Sequence, residues 1–229
     1  MNHNFMKVLV RGNDSNILEF STKFKDQFRY DTDTENSTTL DLSEYDVVFD
    51  FFTDEFPENP EQYIHNEHQV IFCNTVKTTL AELSFYLNHD FSCTFLGFNG
   101  LPSFFDRELL ELTVLRTEDR QILEAISSKL GFEYTVVEDR VGMVTPRVIC
   151  MIINEAYFTV QEGTAEKEAV NHAMKLGTNY PFGPFEWAER IGISHVYELL
   201  EALYDDTKDE RYKISPLLKR EYLLLQIST

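Results

Sequence analysis

Along the first 141 positions the apolar and β-branched residues come in short blocks. "KVLV" (Lys7–Val10), "DVVFDFF" (Asp46–Phe52), "QVIFC" (Gln69–Cys73) and "CTFLGF" (Cys93–Phe98) are each the length of a strand. Between them, "NILEFSTKFKDQF" and "TTLAELSFYL" space apolar residues three and four apart, the period of one helix face. "ELTVLR" and "EYTVVED" predict two more strands around a helix over "EDRQILEAISSKL". Strands that alternate with helices predict βαβ units on a parallel sheet.

From Gly142 onward the strand pattern stops. "TPRVICMIINEAYFTVQEG" reads as a helix with Thr145 as its N-cap, Pro146 in the first helical position and a stop at Gly163. Shorter helical patterns follow. In "AMKLGTNYPFGPFE" (Ala173–Glu186) a helical run ends at Gly177, and two prolines then bracket Gly183. The expected architecture is α/β plus all-α: a parallel-sheet domain over residues 1–141, then a helical domain over 142–229.

Composition narrows the partners. With 43% hydrophobic residues, nineteen Phe and eleven Tyr, the chain of 229 residues can fill a sizeable core. Its formal net charge of −19 argues against nucleic acid and anionic membranes. No apolar run approaches the roughly 20 residues that span a bilayer. Cys73, Cys93 and Cys150 are odd in number and far apart, which suits free thiols in a reducing cytoplasm. Twelve Asp and Glu and no Lys or Arg lie between Tyr30 and Val76. "HNEH" (His65–His68) sets two His three apart but lacks a third metal ligand, so an exposed helix is expected there and no metal.

"INEAYFTVQEGTAEKEAVNHAMKLGTNYPFGPFEWAERIG" (Ile153–Gly192) and "YELLEALYDDTKDERYKISPLLKREYL" (Tyr197–Leu223) carry a specific resemblance. They resemble the C-terminal domain of NAD-dependent 3-hydroxyacyl-CoA dehydrogenases, the bacterial 3-hydroxybutyryl-CoA enzymes in particular. "YDVVFDFF", "IFCNT" and "LGFNGLP" extend the likeness more weakly into the first half. The resemblance implies a Rossmann domain for NAD and a helical domain that closes over acyl-CoA and forms a homodimer. The family's long helical hairpin after the second strand has no room between Arg29 and Tyr45.

Carried over residue by residue, the family chemistry mostly fails. The position of the general-base His is Leu96, and losing such a base typically costs about 10²–10⁴-fold in rate. The substrate-binding Ser is replaced by Val76, and the Asn at the start of the long helix by Pro146. The carboxylate that orients the His corresponds to Glu111, with Glu108 as the alternative. In the phosphate loop only Gly12 remains; the next two glycine positions hold Asp14 and Ile17, and Asp14 or Ser15 reads more simply as a helix N-cap. Asp31 stands near the family's ribose-binding acid. No cofactor is therefore expected, NAD being the family's. Asn179, Tyr180, Phe182 and Phe185 are the candidates for a retained substrate contact.

These features imply a dehydrogenase-like, non-catalytic cytoplasmic protein. A dimeric scaffold or regulatory subunit ranks first and a binder of acyl-CoA-like ligands second. An active oxidoreductase on 3-hydroxyacyl-CoA, using relocated residues, ranks third.

Overall fold

The computed structural model describes residues 6–25, 27–88 and 91–228. The chain divides into two units, Met1–Met143 and Val144–Thr229. The division falls two residues beyond the boundary expected from sequence.

The first unit runs β1(Val8–Arg11), α1(Asp14–Phe24), β2(Tyr30–Asp33), β3(Val47–Asp50), β4(Val70–Asn74), α2(Leu80–Tyr86), β5(Thr94–Phe98), β6(Leu109–Val114), α3(Asp119–Leu130) and β7(Glu133–Val136). The strands form one seven-stranded sheet in the order β2-β1-β3-β4-β5-β6-β7. Every neighbouring pair is parallel except β5 with β6.

Strand alternation sends the aromatic residues to one face. Phe49, Phe72 and Phe98 meet Phe20 and Phe24 of α1 and Leu123 and Leu130 of α3 there. The Phe49 and Phe72 rings stack at 4.4 Å, with only 6° between their planes. On the opposite face Leu9, Val48, Ile71 and Phe95 pack against Leu80 and Leu83 of α2. Each such side chain, fully buried, contributes about 1.5–3 kcal/mol.

Several local expectations are corrected. β2, "YDTD", has no apolar alternation and is a strand beyond those the apolar pattern predicts. The run "DVVFDFF" stops being a strand at Asp50, whose carboxylate accepts from Phe52 N at 2.9 Å and starts a 3-10 turn over Phe51–Asp54. α1 is capped by Asn13, not by Asp14 or Ser15. Thr145 is the first residue of its helix rather than the cap, a place held by Val144. "HNEH" lies in turns, not on a helix.

The second unit comprises α4(Thr145–Gln161), α5(Lys167–Thr178), α6(Pro184–Ile191), α7(Ile193–Thr207) and α8(Pro216–Ser228). α4 touches all four others. It buries Ile149, Cys150, Ile153, Ala156 and Tyr157, positions three and four apart. Asn154 on the same helix is buried, yet its amide is paired: it donates to Lys213 O and accepts from Ser215 N, both at 2.9 Å. Further along α8, Glu221 accepts from the Tyr157 hydroxyl and from Lys167 Nζ, each at 2.7 Å. These bonds fix the start of α8 against α4 and α5.

Candidate functional site

In an open parallel sheet, ligands sit beyond the carboxyl ends of the strands where the strand order reverses. Here that point lies between β1 and β3, with β2 on the far side of β1. β1 ends at Arg11, β2 at Asp33 and β3 at Asp50.

A phosphate seat at such a point needs free backbone N–H groups at the start of the following helix. In this chain the N–H groups of Gly12, Asn13 and Asn16 have internal partners. Asn16 N donates to Asn13 Oδ1 and Asn13 N to Asn16 Oδ1, each at 3.1 Å. Gly12 N donates to Asp33 O, also at 3.1 Å. Gly12 is required by packing: a Cβ there would lie 2.8 Å from Asn16 Cβ and 3.1 Å from Phe51 Cβ. Asp14 adds an exposed carboxylate in the first turn. Ile17 is half-buried against the aromatic core.

Arg11 is the largest departure, and neither motif nor spacing in the sequence singles it out. Its side chain is wholly buried at the end of β1. Nε donates to Asp33 Oδ2 at 3.0 Å. One terminal nitrogen reaches Tyr63 Oη at 2.7 Å and Asp50 Oδ2 at 3.4 Å. The other reaches Asn36 Oδ1 at 2.8 Å and Ser37 O at 3.1 Å. A guanidinium has five N–H groups, and five acceptors surround this one.

The carboxylates are satisfied as well. Asp50 also accepts from Phe52 N, the Tyr63 hydroxyl and Asn59 Nδ2. Asp33 also accepts from Glu35 N and Ser37 N. Burial pushes the Asp50 carboxyl up, while the Arg11 charge and the Tyr63 hydroxyl pull against it. Burial and Asp50 together hold the Tyr63 phenol well above its ordinary range, so it stays protonated as a donor. Asp31 is exposed and takes the Tyr45 hydroxyl at 3.0 Å, so Asp33 is the acid that faces the crevice.

The other predicted positions lie apart from this cluster. Leu96 on β5 is 0% exposed, inside the aromatic core. Val76 is equally buried, and its carbonyl accepts from Gly142 N at 2.6 Å. Pro146 is buried in the first turn of α4. Glu111 lies within β6 and is half-buried, whereas Glu108 precedes the strand. Burial lowers the Arg107 guanidinium, and the charges of Glu111, Asp106 and Glu19 oppose that shift. Glu111 therefore faces a cation in place of an imidazole.

In the second unit, Asn179 takes a left-handed conformation (φ 57°) that ends α5. Tyr180 and Phe182 line a shallow apolar hollow of about 10 Å³ with Ile149, Ile152, Met174 and Trp187. Phe185 is buried instead, its ring 4.9 Å from that of Tyr157. Of the four candidates, Asn179 thus ends α5 at the surface, Tyr180 and Phe182 line the hollow, and Phe185 lies in the core. Among the described residues, no group of three or more His, Cys, Asp or Glu is placed to hold a metal ion. None of the helices described is long and apolar enough to cross a membrane.

The molecule is thus a Rossmann-like sheet with a rebuilt switch point, followed by a helical unit. Residues 142–226 match the family model for the 3-hydroxyacyl-CoA dehydrogenase C-terminal domain. A probable 3-hydroxybutyryl-CoA dehydrogenase of Bacillus subtilis is 29% identical over 80% of this chain and 67% of its own length. The 3-hydroxybutyryl-CoA dehydrogenase of Bradyrhizobium diazoefficiens is 36% identical over 48% of this chain, which spans only 39% of that relative. The solved structure of (S)-3-hydroxybutyryl-CoA dehydrogenase from Ralstonia eutropha superposes with a TM-score of 0.70. It is 21% identical and covers 97% of this chain and 95% of its own. The helical unit thus carries the 3-hydroxyacyl-CoA dehydrogenase C-terminal domain, and the chain as a whole resembles enzymes of that family.

That family implies NAD, and the residues present do not fit it. The Asn13 and Asn16 N–H groups bond within the chain, Asp14 sets a carboxylate in the first turn, and the switch point holds a guanidinium and the side chains that pair with it.

Proposed function

We propose that this is a 3-hydroxyacyl-CoA dehydrogenase-like protein without dehydrogenase chemistry of its own, acting as a homodimeric scaffold or regulatory subunit. The carrying observation is Leu96. The position that supplies the proton acceptor in the family is an aliphatic side chain inside the core, where neither solvent nor substrate reaches it. The dimer reading is supported by large apolar residues left exposed on the helical unit: Val144 at the cap of α4, Val148 on α4, Leu176 on α5, and Leu223, Leu224 and Ile227 on α8. Exposed apolar residues gathered into a patch mark an interaction site, and a two-fold pair would cover the same residues on both chains.

Two measurements test the reading. NADH oxidation with acetoacetyl-CoA should stay at the no-enzyme background; turnover above it overturns the loss of chemistry. Light scattering at micromolar concentration should give twice the 26.8 kDa chain mass, and a monomer overturns the dimer.

A second reading, a binder of acyl-CoA-like ligands, is favoured by the apolar hollow under Tyr180 and Phe182. Its free space is only about 10 Å³, far below the roughly 300–1,000 Å³ of ordinary small-molecule sites, so the lining side chains must move before an acyl chain can enter. Thermal stabilisation by acyl-CoAs, growing with chain length and lost in Phe182→Ala, is the result that reading requires.

A further inference from the structure

The cluster around Arg11 is too complete to be a remnant. It joins the carboxyl ends of three strands to two loops, at the one place where a sheet of this order offers a crevice. Buried charges are costly unless they are paired and their remaining hydrogen-bond capacity is met. Here both conditions hold: five donors meet five acceptors, and the other carboxylate oxygens take backbone and side-chain N–H or O–H groups.

The loop after β2 depends on the same residues. Asn36 takes a positive φ of 51° and offers its side-chain oxygen to Arg11, and its amide pairs with Asn59. Ser37 gives its carbonyl to Arg11 and its N–H to Asp33. The segment that would otherwise rim an open crevice is drawn down over it.

We infer that the Arg11 guanidinium is a built-in occupant of the switch-point crevice: it ties β1, β2, β3 and the 33–37 and 59–63 segments into a closed state that needs no nucleotide. This deepens the non-catalytic reading. Its readouts are stability and amide exchange rather than turnover, so either can fail alone.

The test compares the full chain with Arg11→Met and Arg11→Lys. Methionine leaves Asp33 and Asp50 buried without their cation, which should lower the melting midpoint by roughly 6–20 °C at pH 7. Lysine keeps the charge but has three donors in place of five, and should fall between.

The pH response separates this role from simple packing. Burial already raises the Asp50 carboxyl and the Arg11 charge opposes that rise, so removing Arg11 raises it further and the folded state binds more protons. Arg11→Met should therefore regain more stability than wild type as pH falls from 7 to 5. In wild type, the Ser37 amide should exchange at least about 100-fold slower than in an unfolded chain, and ADP-ribose or NADH should leave the midpoint unchanged.

An Arg11→Met protein that melts within about 2 °C of wild type overturns the inference, as does a loss of stability that pH does not relieve. If that variant does not fold, the wild-type measurements decide. Unprotected exchange at Ser37, or stabilisation by either nucleotide, overturns the inference, and protection without a nucleotide response supports it.

Discussion

Two glycines stand at two helix starts, one in each unit. A Cβ on Gly12 would lie 2.8 Å from Asn16 Cβ, and one on Gly183 would lie 2.5 Å from the Cα of Asn171. Both helix starts are closed by the chain itself. At α1 the donors pair within the Asn13–Asn16 capping box. At α6, Gly183 N donates to Glu186 at 2.8 Å and Phe185 N to Asn171 at 2.9 Å. The sequences around them have fared differently. Around Gly183 the family pattern is nearly intact, and around Gly12 only the glycine remains. A glycine in a motif position thus reports a close approach of backbone. Whether a ligand shares that approach depends on which N–H groups are still unpaired.

Four substitutions would break or sharpen this contrast. The largest effect is expected for Leu96→His. It places a polar ring in the aromatic core and should cost about 2–4 kcal/mol in denaturant unfolding, with no gain in NADH oxidation. Measurable turnover in that variant would show that the catalytic seat is still open.

Gly183→Ala comes next. The obstructing atom is backbone, so α5 and α6 must part, at about 1–3 kcal/mol. Gly12→Ala meets side-chain atoms that can shift and should cost less, about 1–2 kcal/mol. The reverse order would mean that the first helix start is the more constrained of the two. Gly177→Ala is the smallest effect and has the opposite sign. It lies within α5, and a methyl group added there would have no neighbour within 4 Å, so alanine should stabilise by about 0.5–1 kcal/mol. Thermal melts resolve both signs.

The fold was legible where burial imposes a period. β1, β3, β4 and β5 are all found within a residue or two of the apolar runs, and the helices α1, α3 and α4 follow their three-and-four spacing. β2 was invisible because it lies at the sheet edge. Its middle residues Asp31 and Thr32 are exposed, and hydrogen bonding to β1 alone makes it a strand. The cap at Asn13 was missed because Asp14 and Ser15 are equally good capping residues. The reciprocal Asn13–Asn16 spacing was the signal that separates them.

The site was legible only in what it has lost. Leu96, Val76 and Pro146 could be read by substitution against the family pattern. Arg11 could not, since it matches nothing in that pattern. A different clue was present: one arginine ending the apolar run "VLVR" and, from Tyr30 to Val76, an acid-rich stretch without a single Lys or Arg. A charge at the end of a buried strand must find partners, and Asp33 and Asp50 were the nearest acids placed at strand ends.

The Arg11 cluster also bears on the order in which the first unit folds. Its contacts reach 22, 25, 26, 39 and 52 residues along the chain, so none is local. No two-strand fragment can make more than part of it, and an arginine half-paired in a drying core is worse than one left in water. The guanidinium should stay hydrated until β1, β2, β3 and the turn at Tyr63 have all assembled, and then close in one step. Such long-range closure is slow relative to the helix-to-helix contacts of the second unit. The half of the chain synthesised first is then the half expected to finish last.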